Sequence, residues 1–290
     1  MAHPSNNPLK GYTHYTHFII SNPDTYVAHV EINRPAKLNA FKREMWLELR
    51  SIFRQLSADP EVRAVVLSGA GERAFTAGLD VHAASQSEPT LLGSKGDIDG
   101  SRVATLLRRD VYDFQDCISA VERCEKPVIC VLHGIAIGLA IDLSCCADVR
   151  ICAANTHMSV KEVDIGMAAD IGTLSRLPKA VGSFSWVKDV CLSARTFDAE
   201  EALRVGFVSQ VLESKAAAVE VGLRTASLLA SKSPVAVQGT KELLNHARDH
   251  TVDESLRYTA IWNSAMLQSD DLSSALLSGI QKTKPKFAKL

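Results

Sequence analysis

Four acidic side chains sit where the surrounding pattern calls for apolar ones. Asp142 lies in Ile141-Asp142-Leu143, inside an apolar helical stretch. Glu162 and Asp164 lie in Val160-Lys161-Glu162-Val163-Asp164-Ile165-Gly166, and Asp170 lies in Ala168-Ala169-Asp170-Ile171-Gly172. A carboxyl flanked by apolar residues is a candidate for burial. Burial raises its pKa, and a carboxyl that titrates near neutrality can both take and give a proton. Each acid also has a structural use, as a helix cap or as a partner of Arg150, Lys161 or Arg176. Three of them close to two glycine turns favour chemistry. The first turn is Ala74-Phe75-Thr76-Ala77-Gly78-Leu79-Asp80; the second is His133-Gly134-Ile135-Ala136-Ile137-Gly138-Leu139-Ala140-Ile141-Asp142. A glycine at a strand end lets backbone N–H groups point outward, and a helix starting there adds a positive dipole end. Two such N–H groups aimed at one point would make an oxyanion hole. Spacing alone equally allows two plain tight turns. Neither turn has the Gly-Lys-Ser/Thr of a phosphate loop or the pattern GxGxxG.

Other chemistries find less support. His246 and His250 are four apart, but no third metal ligand and no HExxH glutamate accompany them. No metal is implied. No serine sits in a GxSxG elbow. The seven cysteines are an odd number lying mostly in apolar runs, with no zinc-type CxxC pair, which reads as buried reduced thiols in a reducing compartment. The net charge of −1 gives no field for nucleic acid or an anionic membrane. No apolar run is long enough to span a bilayer. The first 11 residues are polar and contain two prolines, so they resemble neither a secretory signal nor a mitochondrial leader.

The elements that must position these groups alternate. Residues 26–32 alternate apolar and polar before Asn33-Arg34-Pro35, a strand and a breaker. Residues 41–56 place Phe41, Met45, Leu49, Ile52, Phe53 and Leu56 on one helical face. Residues 64–67, 128–132 and 149–153 read as buried strands, and 110–123 as a helix. Strand–helix–strand rhythm means an α/β core. After Asp198, an N-cap with Glu201 placed for a capping box, the pattern turns helical, with helices over 235–248 and 253–267. The predicted organisation is a flexible tail over 1–12, an α/β core over 13–200 and a helical region over 201–287. Residues 83–101, rich in Ser, Gly and Asp, form a loop or an active-site lid.

Against that background three motifs stand together: Asn33-Arg34-Pro35 with Leu38-Asn39-Ala40, the run Ala74 to Asp80 quoted above, and Lys126-Pro127-Val128 with His133-Gly134. From residue 27 to the C-terminus the chain resembles the crotonase, or enoyl-CoA hydratase/isomerase, superfamily. The run from Val160 through Asp170 to Gly172-Thr173-Leu174, with Ser231-Lys232-Ser233-Pro234 and Trp262-Asn263, is similar to one branch, the Δ3,5-Δ2,4-dienoyl-CoA isomerases. The resemblance implies a spiral of ββα repeats with a helical C-terminal trimerisation region, assembled as a homotrimer or homohexamer. It implies an acyl-CoA substrate and no cofactor. It implies catalytic roles for Asp142, Glu162 and Asp170, with Asp170 taking a proton at C2 and Glu162 delivering one at C6. The N–H groups of Leu79 and Leu139 would hold the thioester oxygen. CoA would lie along Arg34, Lys37, Leu38 and Ala40, and along Ala77, Gly78, Asp80, Val81 and His82, with Ala140 beside the thioester. The second turn departs from the usual Gly-Gly-Gly, reading Gly138-Leu139-Ala140. Alternatives are a 2-enoyl-CoA hydratase, a Δ3-Δ2-enoyl-CoA isomerase, and a non-enzymatic RNA-binding or scaffold relative. Hydratases use two glutamates at positions 142 and 162, whereas position 142 here is the shorter aspartate.

The chain ends Ala288-Lys289-Leu290, a small–basic–leucine tripeptide of the peroxisomal type, preceded by Lys282, Lys284 and Lys286. The expectation is a reachable C-terminus, a peroxisomal import receptor as partner, and a matrix location.

Overall fold

The computed structural model describes residues 7–81 and 99–290. Its larger sheet has seven strands: β1 (Asn7–Pro8), β2 (Phe18–Asp24), β3 (Val27–Ile32), β4 (Ala64–Gly69), β6 (Val128–Leu132), β8 (Val149–Ala153) and β11 (Gln210–Leu212). They lie in that order. β1, β2 and β3 are antiparallel, and every later pair is parallel. A smaller sheet runs β5 (Ala74–Thr76), β7 (Ile135–Ile137), β9 (His157–Ser159) and β10 (Phe197–Asp198), with β5, β7 and β9 mutually parallel. β4–β5, β6–β7 and β8–β9 each lay one strand in the large sheet and one in the small sheet before a helix, the expected ββα spiral, whereas the first turn keeps both β2 and β3 in the large sheet.

The strand period of two splits the large sheet into two cores. In β4, Val65 and Leu67 face the main core, while Ala64 and Val66 face a second cluster under α7 (Lys215–Ala230). The main core is covered by α1 (Arg43–Ala58), whose buried Met45, Leu49, Ile52, Phe53 and Leu56 pack toward α2 (Gly100–Arg123). Helix α2 begins at Asp99, which accepts from the N–H groups of Ser101 and Arg102, ten residues before the predicted start. Phe41 is buried but precedes α1, pairing with Leu79 instead. Helix α7 lies close to the sheet because Ala218, Gly222, Ala226 and Ala230, each one turn apart, present little bulk. A Cβ at Gly222 would stand 2.9 Å from Val131 Cγ2.

Three expectations need correction. The chain is anchored from Asn7, because β1 pairs with β2 and both Leu9 and Tyr12 are buried; residues 1–6 lie outside the described residues. The core does not end at 200, since β11 adds an edge strand beside β8 and α7 covers the sheet. The capping box at Asp198 is half made. Asp198 accepts from the Glu201 N–H, but the Glu201 carboxylate is drawn to Arg195 and to the Trp186 indole. The reciprocal box occurs at Thr251 and Glu254, opening α9 (Val252–Met266). Helices α8 (Pro234–Asp249) and α10 (Asp270–Gln281) complete the helical region. The loop expected over 83–101 falls outside the described residues up to 98.

Candidate active site

Parallel pairing in the small sheet decides where the chemistry gathers. The C-terminal ends of β5, β7 and β9 lie side by side, and each runs straight into a candidate segment. β5 leads to Ala77-Gly78-Leu79, β7 to Gly138-Leu139 at the start of α3 (Leu139–Cys145), and β9 to Glu162. Gly78 has φ +88°, and an added Cβ would lie 2.8 Å from Ile137 O and 3.5 Å from Leu139 N. The two glycine turns are thus in contact. Gly78 O accepts from Phe41 N and Asp80 N donates to Phe41 O, which leaves the intervening Leu79 N–H unused. Leu139 opens its helix. Among the described residues, neither the Leu79 nor the Leu139 N–H donates to an acceptor, so both donors are unspent.

The first turn is held by residues that the candidate list lacked. Asn39, with φ +56° and fully buried, accepts from Arg34 N and donates to Ala70 O and Ala74 O. Thr76 donates to Asn39 O and accepts from Gly78 N. Both residues sit inside quoted motifs, but their hydrogen bonds join segments 35 and 37 positions apart, a relation no local pattern announces. Arg34 bonds Ala40 O and Asp80, and Ala77 N donates to Leu38 O. Arg34, Leu38, Ala40, Ala77, Gly78 and Asp80 therefore form one knitted rim. Lys37 and Val81 are exposed on it, and Ala140 is buried behind Leu139. His82 lies outside the described residues.

The three acids converge. Asp142, one turn into α3, is buried at 2% exposure. Its Oδ1 accepts from Thr173 N at 2.6 Å and Thr173 Oγ1 at 2.8 Å. Burial pushes its carboxyl up to about 6, opposed by the two Thr173 hydrogen bonds and reinforced by Asp170. Glu162 follows β9, and its Oε1 lies against Gly138, 3.2 Å from where a Cβ would stand. Its Oε2 is buried with no hydrogen-bond partner among the described residues. Desolvation first, then the Asp142 charge, raise Glu162 to about 7. Asp170 is half-buried, and desolvation raises it too. Gln115 Nε2 donates to its backbone oxygen at 2.5 Å. Asp164 is exposed and pairs with Lys161.

The ion-pair partners considered for these acids are engaged elsewhere. Arg150 binds the carbonyls of Phe207, Ser144 and Ala147. Arg176 pairs with Glu122, which Arg248 also holds. His133 bonds Gly71 O, and burial lowers it to about 4, as befits a neutral structural ring. The His246 and His250 rings stack at 3.7 Å. All seven cysteines are buried and unbridged. No cluster of metal-ligating side chains occurs among the described residues, nor is any helix there long and apolar enough to cross a membrane.

Fold and site together define a class: a ββα spiral whose short parallel strands deliver two unused N–H groups and three raised carboxyls to one end. The sequence profile of the enoyl-CoA hydratase/isomerase family matches residues 23–289. The chain belongs to this family. It is 42% identical over 279 residues to the mitochondrial Δ3,5-Δ2,4-dienoyl-CoA isomerase of Mus musculus, covering 95% of this chain and 84% of that one. It is 41% identical over 273 residues to the peroxisomal Δ3,5-Δ2,4-dienoyl-CoA isomerase of Arabidopsis thaliana, covering 94% and 96%. Among solved structures, an enoyl-CoA hydratase from Bacillus anthracis superposes with a TM-score of 0.84 over 94% of this chain and 99% of that one, at 24% identity. The crotonase fold is thus established.

Proposed function

We propose that the protein is an isomerase converting 3,5-dienoyl-CoA to 2,4-dienoyl-CoA in the oxidation of unsaturated fatty acyl chains. One observation carries this beyond a hydratase: a third, half-buried carboxyl, Asp170, lies near enough to Asp142 and Glu162 for its charge to add to the rise of both. Relatives bearing the isomerase name at 41–42% identity support it. A named short-chain-enoyl-CoA hydratase from Clostridium acetobutylicum is 30% identical over 266 residues.

The reaction is a proton shift. Asp170, as carboxylate, takes a proton from C2 of the thioester. The electron pair spreads over a dienolate ending on the thioester oxygen, which the N–H groups of Leu79 and Leu139 hold. Glu162, as carboxylic acid, gives its proton to C6. The double bonds move from C3 and C5 to C2 and C4, and the two carboxyls exchange protons with solvent before the next cycle. The sum of atoms is unchanged, so neither redox group nor metal is required. CoA lies along the rim from Arg34 to Ala40 and from Ala77 to Val81 in this reading, with His82 assigned to it by the family resemblance. Leu139 and Ala140 narrow the acyl side of the turn. A homotrimer or homohexamer, a peroxisomal location and recognition by an import receptor complete the reading; the last two are supported by the Ala288-Lys289-Leu290 terminus and the plant relative's name.

The test is a paired assay of the purified chain. A 3,5-dienoyl-CoA should become the conjugated 2,4-product, seen as rising ultraviolet absorbance. Inactivity on the diene with brisk hydration of a 2-enoyl-CoA would replace this reading by the hydratase.

A further inference from the structure

We propose that Thr173 is a positioning residue: its backbone N–H and hydroxyl clamp the buried Asp142 carboxylate as a fixed anion beside Glu162, leaving proton transfer to Glu162 and Asp170. This deepens the isomerase reading and rests on it. The motivation is geometric. Both Thr173 donors converge on one oxygen, Asp142 Oδ1, at 2.6 and 2.8 Å, inside a site where Asp142 is 2% exposed. Charge-assisted bonds of this length favour the ionised form. The backbone donor is also the first residue of α4 (Thr173–Ala180), so the positive end of that helix faces the same oxygen. Gly172, with φ +154°, brings the helix start in; an added Cβ would stand 3.8 Å from Asp142 Oδ1 and would collide with Arg176 Nη1.

The charges around Asp142 come from four elements. Arg176 on α4 favours the anion, while its own guanidinium is held by Glu122 and Ser119 of α2. Asp170 opposes ionisation of Asp142, and Glu162 faces it across the site. The thiols of Cys145 on α3, of Cys146 capping its end and of Cys191 on α5 (Phe184–Ser193) are pushed well above neutrality and stay uncharged. Within this set Asp142 Oδ1 takes a backbone and a hydroxyl donor from one residue, whereas Glu162 is steadied only by the backbone of its own segment at Lys161 and Glu162, and its Oε2 has no partner among the described residues. A fixed negative charge at Asp142 makes ionising Glu162 costly and keeps a proton there for C6. Asp142 thus acts through its charge.

The experiment compares Thr173→Val, Thr173→Ser and Asp142→Asn in the full chain. Carbon-13 label in glutamate carboxyls, with Glu162→Gln for assignment, reads the Glu162 midpoint directly without substrate. Without the hydroxyl, Asp142 retains its proton to higher pH and repels Glu162 less. In Thr173→Val the Glu162 midpoint should fall by about one pH unit, and the alkaline limb of diene turnover should move with it. Thr173→Ser restores the donor and should keep both at wild-type values. Asp142→Asn should lower the Glu162 midpoint in the same direction, and it serves alone if Thr173→Val does not fold. An unchanged midpoint in the folded Val or Asn variant overturns the proposal, as does an equal shift in Ser and Val. If the midpoints move as expected while wild type leaves the diene unchanged, the clamp stands and the isomerase reading fails.

Discussion

At the scale of single residues, the acids had to be separated by environment, because sequence offers only their flanks. Apolar neighbours marked Asp142 and Glu162 as groups removed from water, but Asp164 has apolar neighbours too and is exposed and paired with Lys161. The difference is that Glu162 opens the short 3₁₀ turn Glu162–Ile165 from the small-sheet side, while Asp164 leaves it toward solvent. Asp170→Asn should cut kcat by about 10³-fold by removing the C2 base. Full activity in that variant, measured on the diene, would remove its role. Glu162 gives a pH signature. It must be protonated to act, so turnover should decline as pH rises through about 7. Its raised value also has a stability consequence with a definite sign. The folded state holds this proton more tightly than the unfolded chain, whose value is near 4.5. Its contribution to folding is therefore complete below pH 4.5 and lost as pH rises through 7. Glu162→Gln should remove this loss and stabilise the protein at pH 8 by roughly 1–3 kcal/mol in denaturant unfolding, although turnover falls about 10²-fold or more.

At the scale of elements, the buried strands and α1 were legible because their periods are strong and local. The small sheet was not. Its strands are two or three residues long, too short for a period, and only their glycine-ended turns marked them. Yet this sheet sets the site, since parallel neighbours must end together. Helix α7 hid for a different reason: it meets the sheet through Ala218, Gly222, Ala226 and Ala230, a stripe with little hydrophobic contrast. Glycine substitutions separate position from strain. Gly78→Ala forces a side chain onto φ +88° and puts its Cβ 2.8 Å from Ile137 O, prising the two turns apart. Gly206→Ala carries similar strain at φ +80° with nothing within 4 Å. Gly206→Ala should lose about 1 kcal/mol in stability, and Gly78→Ala more because of the added backbone clash. Only Gly78→Ala should lose kcat, by about 10²-fold, comparable to loss of one oxyanion donor. Equal kcat values in the two variants would detach the first turn from catalysis.

At the scale of the whole molecule, the helical region and the tail carry information that a single chain does not use. Helices α9 and α10 bury none of their residues, while Val252, Leu256 and Ile261 on one, and Leu276, Leu277 and Ile280 on the other, are each more than half exposed. So much apolar surface on adjacent helices argues for contact between copies. Sedimentation equilibrium should give three or six times the 31.4 kDa chain mass, and Leu276→Glu with Ile280→Glu should shift it toward one. A monomeric wild type would leave those faces without an occupant. The C-terminus is both reachable and tethered. Ala288, Lys289 and Leu290 are exposed, but Arg63 Nη2 bonds Phe287 O and Ala288 O at 2.9 Å each, and Lys289 pairs with Glu61. The expectation of a reachable end did not include the tether, because Arg63 lies more than two hundred positions away. Ala288 and Leu290 stay exposed, and a receptor reading the terminus has to displace the Lys289–Glu61 pair. A fluorescent protein fused at the N-terminus should carry the intact chain to peroxisomes, and deletion of Leu290 should leave it in the cytosol. Cytosolic fluorescence from the intact fusion, or peroxisomal fluorescence that survives loss of Leu290, would make the tripeptide incidental.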